Sequence, residues 1–180
     1  MKFKKGILAA MFVATLATVF APMAAMANDN KEDSRSRGWW KYNRPTETIV
    51  DIVLRDDGEF DVLQAAVVKA GLVDALNGNN KLTVFAPTDA AFIKTLGVAD
   101  EAAAISTVES LPVDALTDIL LYHVTEGNRG ALSVIFSRQY PMLNGDMLSR
   151  YELFQAGIEK VNVRASNGVI HVIGSVLLPS

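Results

Sequence analysis

The sequence predicts an α+β domain, helices first and strands later, placed behind an N-terminal export signal. Three observations carry this. Apolar residues recur at helical spacing between Thr46 and Tyr122, and beyond His123 they shorten into strand-like runs divided by Gly and Asn. Ahead of both, Lys2, Lys4 and Lys5 precede an apolar run that ends at a helix-breaking Pro22. The 180 residues fit one domain, and the 50% apolar content is enough for a sizeable core.

Taken in chain order, residues 1–27 read as a cleavable signal peptide. Gly6–Phe20 is the apolar stretch, too short to span a bilayer, and Ala25-Met26-Ala27 fits the small-x-small cleavage pattern, with Asn28 as the expected first mature residue. No later run is long and apolar enough to cross a membrane, so the mature protein is expected in the periplasm or outside the cell. Removing three lysines takes the net charge from −3 to −6. Nucleic acid is a poor partner for so acidic a chain, because phosphate affinity rests on clustered Lys and Arg. The absence of cysteine excludes disulfides, thiolate nucleophiles, cysteine metal sites and an N-terminal lipid anchor.

Residues 28–45 form a polar segment of mixed charge, expected to pack loosely. Trp39, Trp40, Lys41 and Tyr42 interrupt it. Two readings stand for these aromatics: stacking on a sugar or docked peptide, or folding back over an apolar edge of the domain.

The domain is expected over residues 46–180. Ile49, Ile52 and Val53 predict a helix within Thr46–Asp57 capped by Thr46 or Thr48. A second helix follows from Phe60 to Lys69, stopped by Gly71, and a short turn covers Leu72–Leu76. Leu82–Ala86 reads as a buried strand. Pro87-Thr88-Asp89 then opens a helix carrying Phe92 and Leu96, with Thr88 as cap and Asp89 at the positive end of the helix dipole. Ala102–Ser110 is weakly helical and Pro112–Tyr122 strongly so. Strands are expected at about 132–136, 147–154, 158–164, 169–173 and 175–178.

Two blocks in this layout resemble the signatures of the fasciclin domain family. Lys81-Leu82-Thr83-Val84-Phe85-Ala86-Pro87-Thr88-Asp89-Ala90-Ala91-Phe92 is similar to the first, and Asn167–Ile173 with Val176-Leu177-Leu178-Pro179 to the second. Tyr122-His123 stands where the family places its Tyr-His pair, and Thr48–Asp51 and Ala70–Val73 also fit. The resemblance implies helices packed on a wedge of two β-sheets, with the signature blocks as neighbouring core strands. It also implies an extracellular adhesion module that binds a protein, matrix or cell-surface partner, without a cofactor or shared catalytic activity. Partner binding near the Tyr-His pair falls on Tyr122 and His123. Gly174 departs from the pattern, standing where many bacterial members carry an acid.

The residues themselves offer little catalytic chemistry. His123 and His171 are the only histidines, and no His-x-x-x-His spacing suggests a metal. His171 sits inside an alternating strand and is expected to be buried with one hydrogen bond. His123, at a helix-to-strand junction, is expected to cap helix carbonyls and to favour its cationic form there. Asp114, Asp118, His123 and Ser133 could be assembled into a hydrolase, yet no nucleophile elbow accompanies Ser133. Adjacent acids such as Asp56-Asp57 and Asp100-Glu101 are ordinary surface features, and no Gly-rich phosphate loop is present. Leu132–Leu143 is richly apolar and reads either as an exposed partner site or as an edge strand and its cover.

The leading expectation is therefore an exported adhesion or interaction module for a protein or polysaccharide. Its contacts would come from Tyr122, His123, Phe136, Tyr140, Trp39 and Trp40, with no metal and no cofactor. The alternative is a periplasmic small-molecule binder or hydrolytic enzyme with its site near His123. Neither the ligand nor the oligomeric state is written in the sequence.

Overall fold

Strands β1 (Leu82–Pro87) and β6 (Gly168–Ile173) lie side by side and are buried along their whole length in the computed structural model, which describes residues 45–55 and 58–179. Strands covered on both faces need no polar alternation, and both are mostly apolar, with Thr83 and His171 as buried polar exceptions. They pair in parallel, in register from Leu82 with Gly168 to Pro87 with Ile173. The two signature blocks are thus neighbours in the core. Strand β2 (Val124–Glu126) adds antiparallel to β1, and β5 (Ile158–Ala165) antiparallel to β6, giving the order β2-β1-β6-β5. A second sheet pairs β3 (Gln139–Pro141) with β4 (Met147–Ser149).

Among the described residues, six helices precede β2: α1 (Ile49–Val53), α2 (Asp61–Lys69), α3 (Val73–Leu76), α4 (Asp89–Leu96), α5 (Glu101–Ser110) and α6 (Val113–Leu121). Two follow it, α7 (Ala131–Phe136) and α8 (Arg150–Ala156). The larger core sets Ile49, Val53, Leu63, Val67, Leu116 and Leu120 of the early helices against Val84, Ala86, Ile170 and Val172. The smaller core lies on the opposite sheet face, where Phe85 and Ile173 meet Tyr122, Val134, Tyr140, Leu148 and Leu153.

Local signals set most of these boundaries. Thr48 caps α1 in a reciprocal capping box with Asp51, which holds the Asp51 carboxyl below the usual range through the Thr48 backbone and hydroxyl. Gly71 ends the α2 region at φ 66°, a conformation open to Gly at no steric cost. Thr88 caps α4 as expected. Asp89 does more than complement its own helix. Its two oxygens accept from the N–H groups of Asp61 and Val62, capping α2, whose own N-cap Phe60 has no side-chain acceptor.

Three expectations fail on the C-terminal side. Residues 132–136 form helix α7, not a strand. Val134, Ile135 and Phe136 have strand propensity, but Asn162 Oδ1 accepts from the Ala131 N–H at the helix start and the Tyr140 hydroxyl donates to the Val134 carbonyl. Asn162 adopts φ 59° within an irregular stretch of β5 to do this. Residues 147–154 divide into short β4 and helix α8, which begins at a Ser149–Glu152 capping box. Residues 175–178 form no strand, because the N–H groups of Val176 and Leu177 donate to Thr95 Oγ1 and His123 Nε2. Gly174 closes instead onto the Gly157 carbonyl, and Glu159 fills the space a side chain there would need.

Asn167 ties the two ends of the domain together. Its Oδ1 accepts from the Ile49 N–H at 2.8 Å, while its Nδ2 donates to the carbonyls of Leu76 at 2.8 Å and Gly78 at 3.4 Å. Replacing Asn167 by Ala strands buried backbone groups in two helices and is expected to cost about 2 kcal/mol. A urea midpoint unchanged in Asn167→Ala would refute that role.

Candidate functional site

The predicted contact residues divide sharply by exposure. Phe136 is 77% exposed, whereas Tyr122, His123 and Tyr140 are at most 3% exposed. Trp39 and Trp40 lie outside the described residues, as do residues 1–27, expected as a signal peptide, and the Asp56-Asp57 pair.

Helix α7 is presented by its supports. Val134 faces the core, and Leu132, Ile135 and Phe136 are left in solvent. Tyr140 holds the helix from beneath through its hydroxyl on the Val134 carbonyl, and its ring meets Phe85 edge-on at 6.1 Å. Arg129 lies 5.9 Å over the same ring. Burial raises the Tyr140 pKa, so its phenol stays a donor. Helix α8 abuts the end of α7: the Arg150 N–H donates to the Arg138 carbonyl and its guanidinium to that of Ile135. Tyr151 and Phe154 of α8 are also exposed, so two adjoining helices carry five large apolar side chains into water.

His123 is used by the backbone on both sides. Nδ1 donates to the Ile119 carbonyl at 2.8 Å, and Nε2 accepts from the Leu177 N–H at 2.9 Å. The carbonyl cap is as expected, but the expected cationic form is wrong: the buried ring is neutral. Desolvation drives the His123 pKa down from 6.5 to about 4, against the smaller opposing effect of Ile119, and the neutral ring is the form that can accept from Leu177. Neither nitrogen is left to take a proton from a substrate. The small apolar cavity beside His123, about 20 Å³, is lined by no carboxylate. Asp118 accepts from Asn144, and Ser133 sits on exposed α7, so the imagined hydrolase group is not assembled around His123.

His171 is buried as expected, with Nε2 bonded to the Arg129 carbonyl and the ring stacked on Phe85 at 5.8 Å. Its Nδ1 has no hydrogen-bond partner among the described residues, and desolvation lowers its pKa.

Tyr122 borders an open cavity of about 240 Å³ between α8 and residues 175–178. Glu152, Gln155 and Ser175 share this lining with Leu178, and these three were not singled out in the sequence. Residues 147–154 are expected as a strand; the local signal that could have found their helix is the Ser149-x-x-Glu152 capping box. Desolvation, then Glu152 and Asp146, raise the Tyr122 pKa.

One acidic group arises from the fold alone. Carboxylate oxygens of Asp61, Asp89 and Glu101 lie within 4.8 Å of one another, and the pKa of Glu101 is pushed up by desolvation, Asp89 and Asp61. Asp89 is already committed to the α2 N-terminus there. Among the described residues, no helix is long and apolar enough to cross a membrane.

Comparison with known proteins bears on the whole arrangement. A fasciclin domain profile matches residues 58–179. Over 142 residues the chain is 39% identical to protein sll1483 of Synechocystis sp., covering 73% of each. It is 35% identical over 143 residues to transforming growth factor-beta-induced protein ig-h3 of Sus scrofa, covering 75% of this chain but 20% of that protein. Among solved structures it is similar to a FAS1 domain pair from the insect cell adhesion molecule Fasciclin I, at TM-score 0.55 and 18% identity. That match covers 75% of this chain and spans about half, 52%, of the other, and it speaks for the fold.

Proposed function

This chain belongs to the fasciclin domain family, and on that premise we propose that it is an exported interaction module whose fasciclin domain, over residues 46–180, docks a protein partner through the apolar face of α7. Residues 1–27 serve as the signal peptide and 28–45 as a polar, aromatic N-terminal segment ahead of the domain. The observation that carries the reading is the exposure of Leu132, Ile135 and Phe136, three of the six residues of α7, with Tyr151 and Phe154 on the adjoining helix. Leaving large apolar groups in water sacrifices burial energy of about 1.5–3 kcal/mol each, which a docked partner recovers. An apolar face favours a protein over a polysaccharide, whose hydroxyls call for polar groups. The relation to a cell adhesion molecule points the same way.

The test uses mature protein from Asn28 onward, immobilised against envelope and extracellular fractions. Captured proteins are identified and then rebound in purified form. A Leu132→Ser/Phe136→Ser variant should weaken that purified interaction at least about tenfold. Its urea midpoint should stay close to that of wild type, because exposed substitutions usually move stability by no more than about 0.5 kcal/mol. Equal binding by the folded variant would move the contact away from α7. Capture of polysaccharide alone would overturn the choice of partner.

A further inference from the structure

We propose that the cavity bordered by Tyr122 is a socket for a lysine or arginine side chain of the docked partner. The inference rests on the interaction-module reading and assigns that module a specificity site distinct from the apolar face of α7.

The first observation is an unpartnered phenol. Tyr122 is 2% exposed and lines the cavity, yet its hydroxyl makes no hydrogen bond to a described residue. Tyr140, its counterpart in the same core, does find a carbonyl. The hydroxyl is not among the buried unpaired atoms, so it opens onto the cavity, where it can accept a hydrogen bond from an incoming donor.

The second is the charge and shape of the lining. Glu152 is the one ionisable acid among the lining residues, and no cationic residue lines the cavity. Its Oε2 accepts from the Ser149 N–H and hydroxyl, which fixes the carboxylate, while no described residue donates to Oε1. Asp146 adds negative potential near Tyr122. Lys94 reaches only the rim, where it donates to Ser175 Oγ at 3.3 Å. Leu148, Ala156 and Leu177 supply buried apolar walls and Leu178 an exposed lip. A carbon stem ending in a cation matches that sequence of surfaces: methylenes lie along the walls, and the head meets Glu152 and the Tyr122 oxygen. Glu152 is exposed at the cavity mouth; an acidic side chain would be repelled there, and an uncharged aliphatic one would forgo the ion pair with it.

The probes are Nα-acetyl-lysine amide and Nα-acetyl-arginine amide, titrated into isotope-labelled mature protein and followed by NMR. Nα-acetyl-norleucine amide serves as the uncharged control and spermidine as a free amine. The expected result is saturable shifts confined to Tyr122, Glu152 and residues 175–178 with either cationic amide, and binding at least about tenfold weaker for norleucine amide. Glu152→Gln keeps an N3 side chain able to close the capping box, and Tyr122→Phe removes a hydroxyl with no protein bond. Both should keep the wild-type urea midpoint and lose most of the affinity for the cationic amides. No saturable shift, equal affinity for norleucine amide, or wild-type affinity in both variants would overturn the socket. Tighter binding of spermidine than of either amide would assign the cavity to free amines and overturn the side-chain occupant. Leu132→Ser/Phe136→Ser should bind the amides normally, so failure of the α7 surface and failure of the socket are read separately.

Discussion

Replacing Gly168 by alanine should cost the protein upwards of about 3 kcal/mol, the largest effect expected of any single methyl group added here. A Cβ at Gly168 would stand 2.1 Å from the Leu82 carbonyl oxygen and 2.8 Å from Ile49 Cδ1. The first of these is backbone, held in the parallel pairing of Leu82 with Gly168. No side-chain rotation relieves that contact, so β1 and β6 must separate at one end, or α1 must lift from the sheet. Overpacking of flexible side chains costs typically about 1–3 kcal/mol, and a rigid backbone clash belongs at or above the top of that range. Against a total stability on the order of 5–15 kcal/mol this is severe. Gly78→Ala is the matched control, since its nearest neighbour, the Ala75 carbonyl oxygen, would be at an ordinary 3.6 Å. It should stay within about 0.5 kcal/mol of wild type. Urea denaturation of both proteins decides the matter: similar midpoints would mean that β1 and β6 can part at little cost.

Acid should destabilise the domain through His123 well before most carboxylates titrate. The folded-state pKa of about 4 lies below the ordinary 6.5, so the unfolded chain takes up the proton first as pH falls. The contribution is fully present above about pH 6.5, declines through the interval down to about pH 4, and is gone below it. That interval corresponds to about 3 kcal/mol, at about 1.36 kcal/mol per pKa unit. The cause is visible in the site: protonating Nε2 breaks the bond from the Leu177 N–H and places a charge where no water reaches. His171, also lowered by desolvation, acts in the same direction, and Asp51, lowered by its Thr48 partners, adds a loss at still more acidic pH. Stability measured by urea from pH 7.5 to 4, with the two imidazoles resolved by NMR, separates these contributions. A His123 ring that titrates near its ordinary 6.5 in the folded protein would refute the assignment. Leu177 is also a wall of the Tyr122 cavity, so affinity for the lysine amide should fall in the same pH interval.

Several of the same residues show how far a sequence carries and where it stops. Thr48, Thr88 and Gly71 act through neighbours a few positions away, and each could be read directly. The Ser149–Glu152 capping box was equally local, and it marks α8 in a stretch whose apolar content suggests a strand. Helix α7 is different in kind. Its residues favour a strand by composition, and the groups that hold it helical, Asn162 and Tyr140, become neighbours only through the fold. Asp89 likewise reads as a partner of its own helix, and serves α2 as well because β1 brings the two helix starts together.

What the sequence determined by itself was the succession of elements from Thr48 to Tyr122, the burial of Leu82–Ala86 as a strand, and the family to which the chain belongs. These depend on periodicity, on local caps and on two contiguous blocks, all of which survive without knowledge of distant contacts. Which side of each residue meets water was decided only by the tertiary structure. Tyr122, His123 and Tyr140 were expected at a surface and went into the interior, while Phe136 remained outside on the helix that Tyr140 supports. Exposure is a property of what packs against a residue, and for this second core the partners come from segments scattered between Phe85 and Leu177.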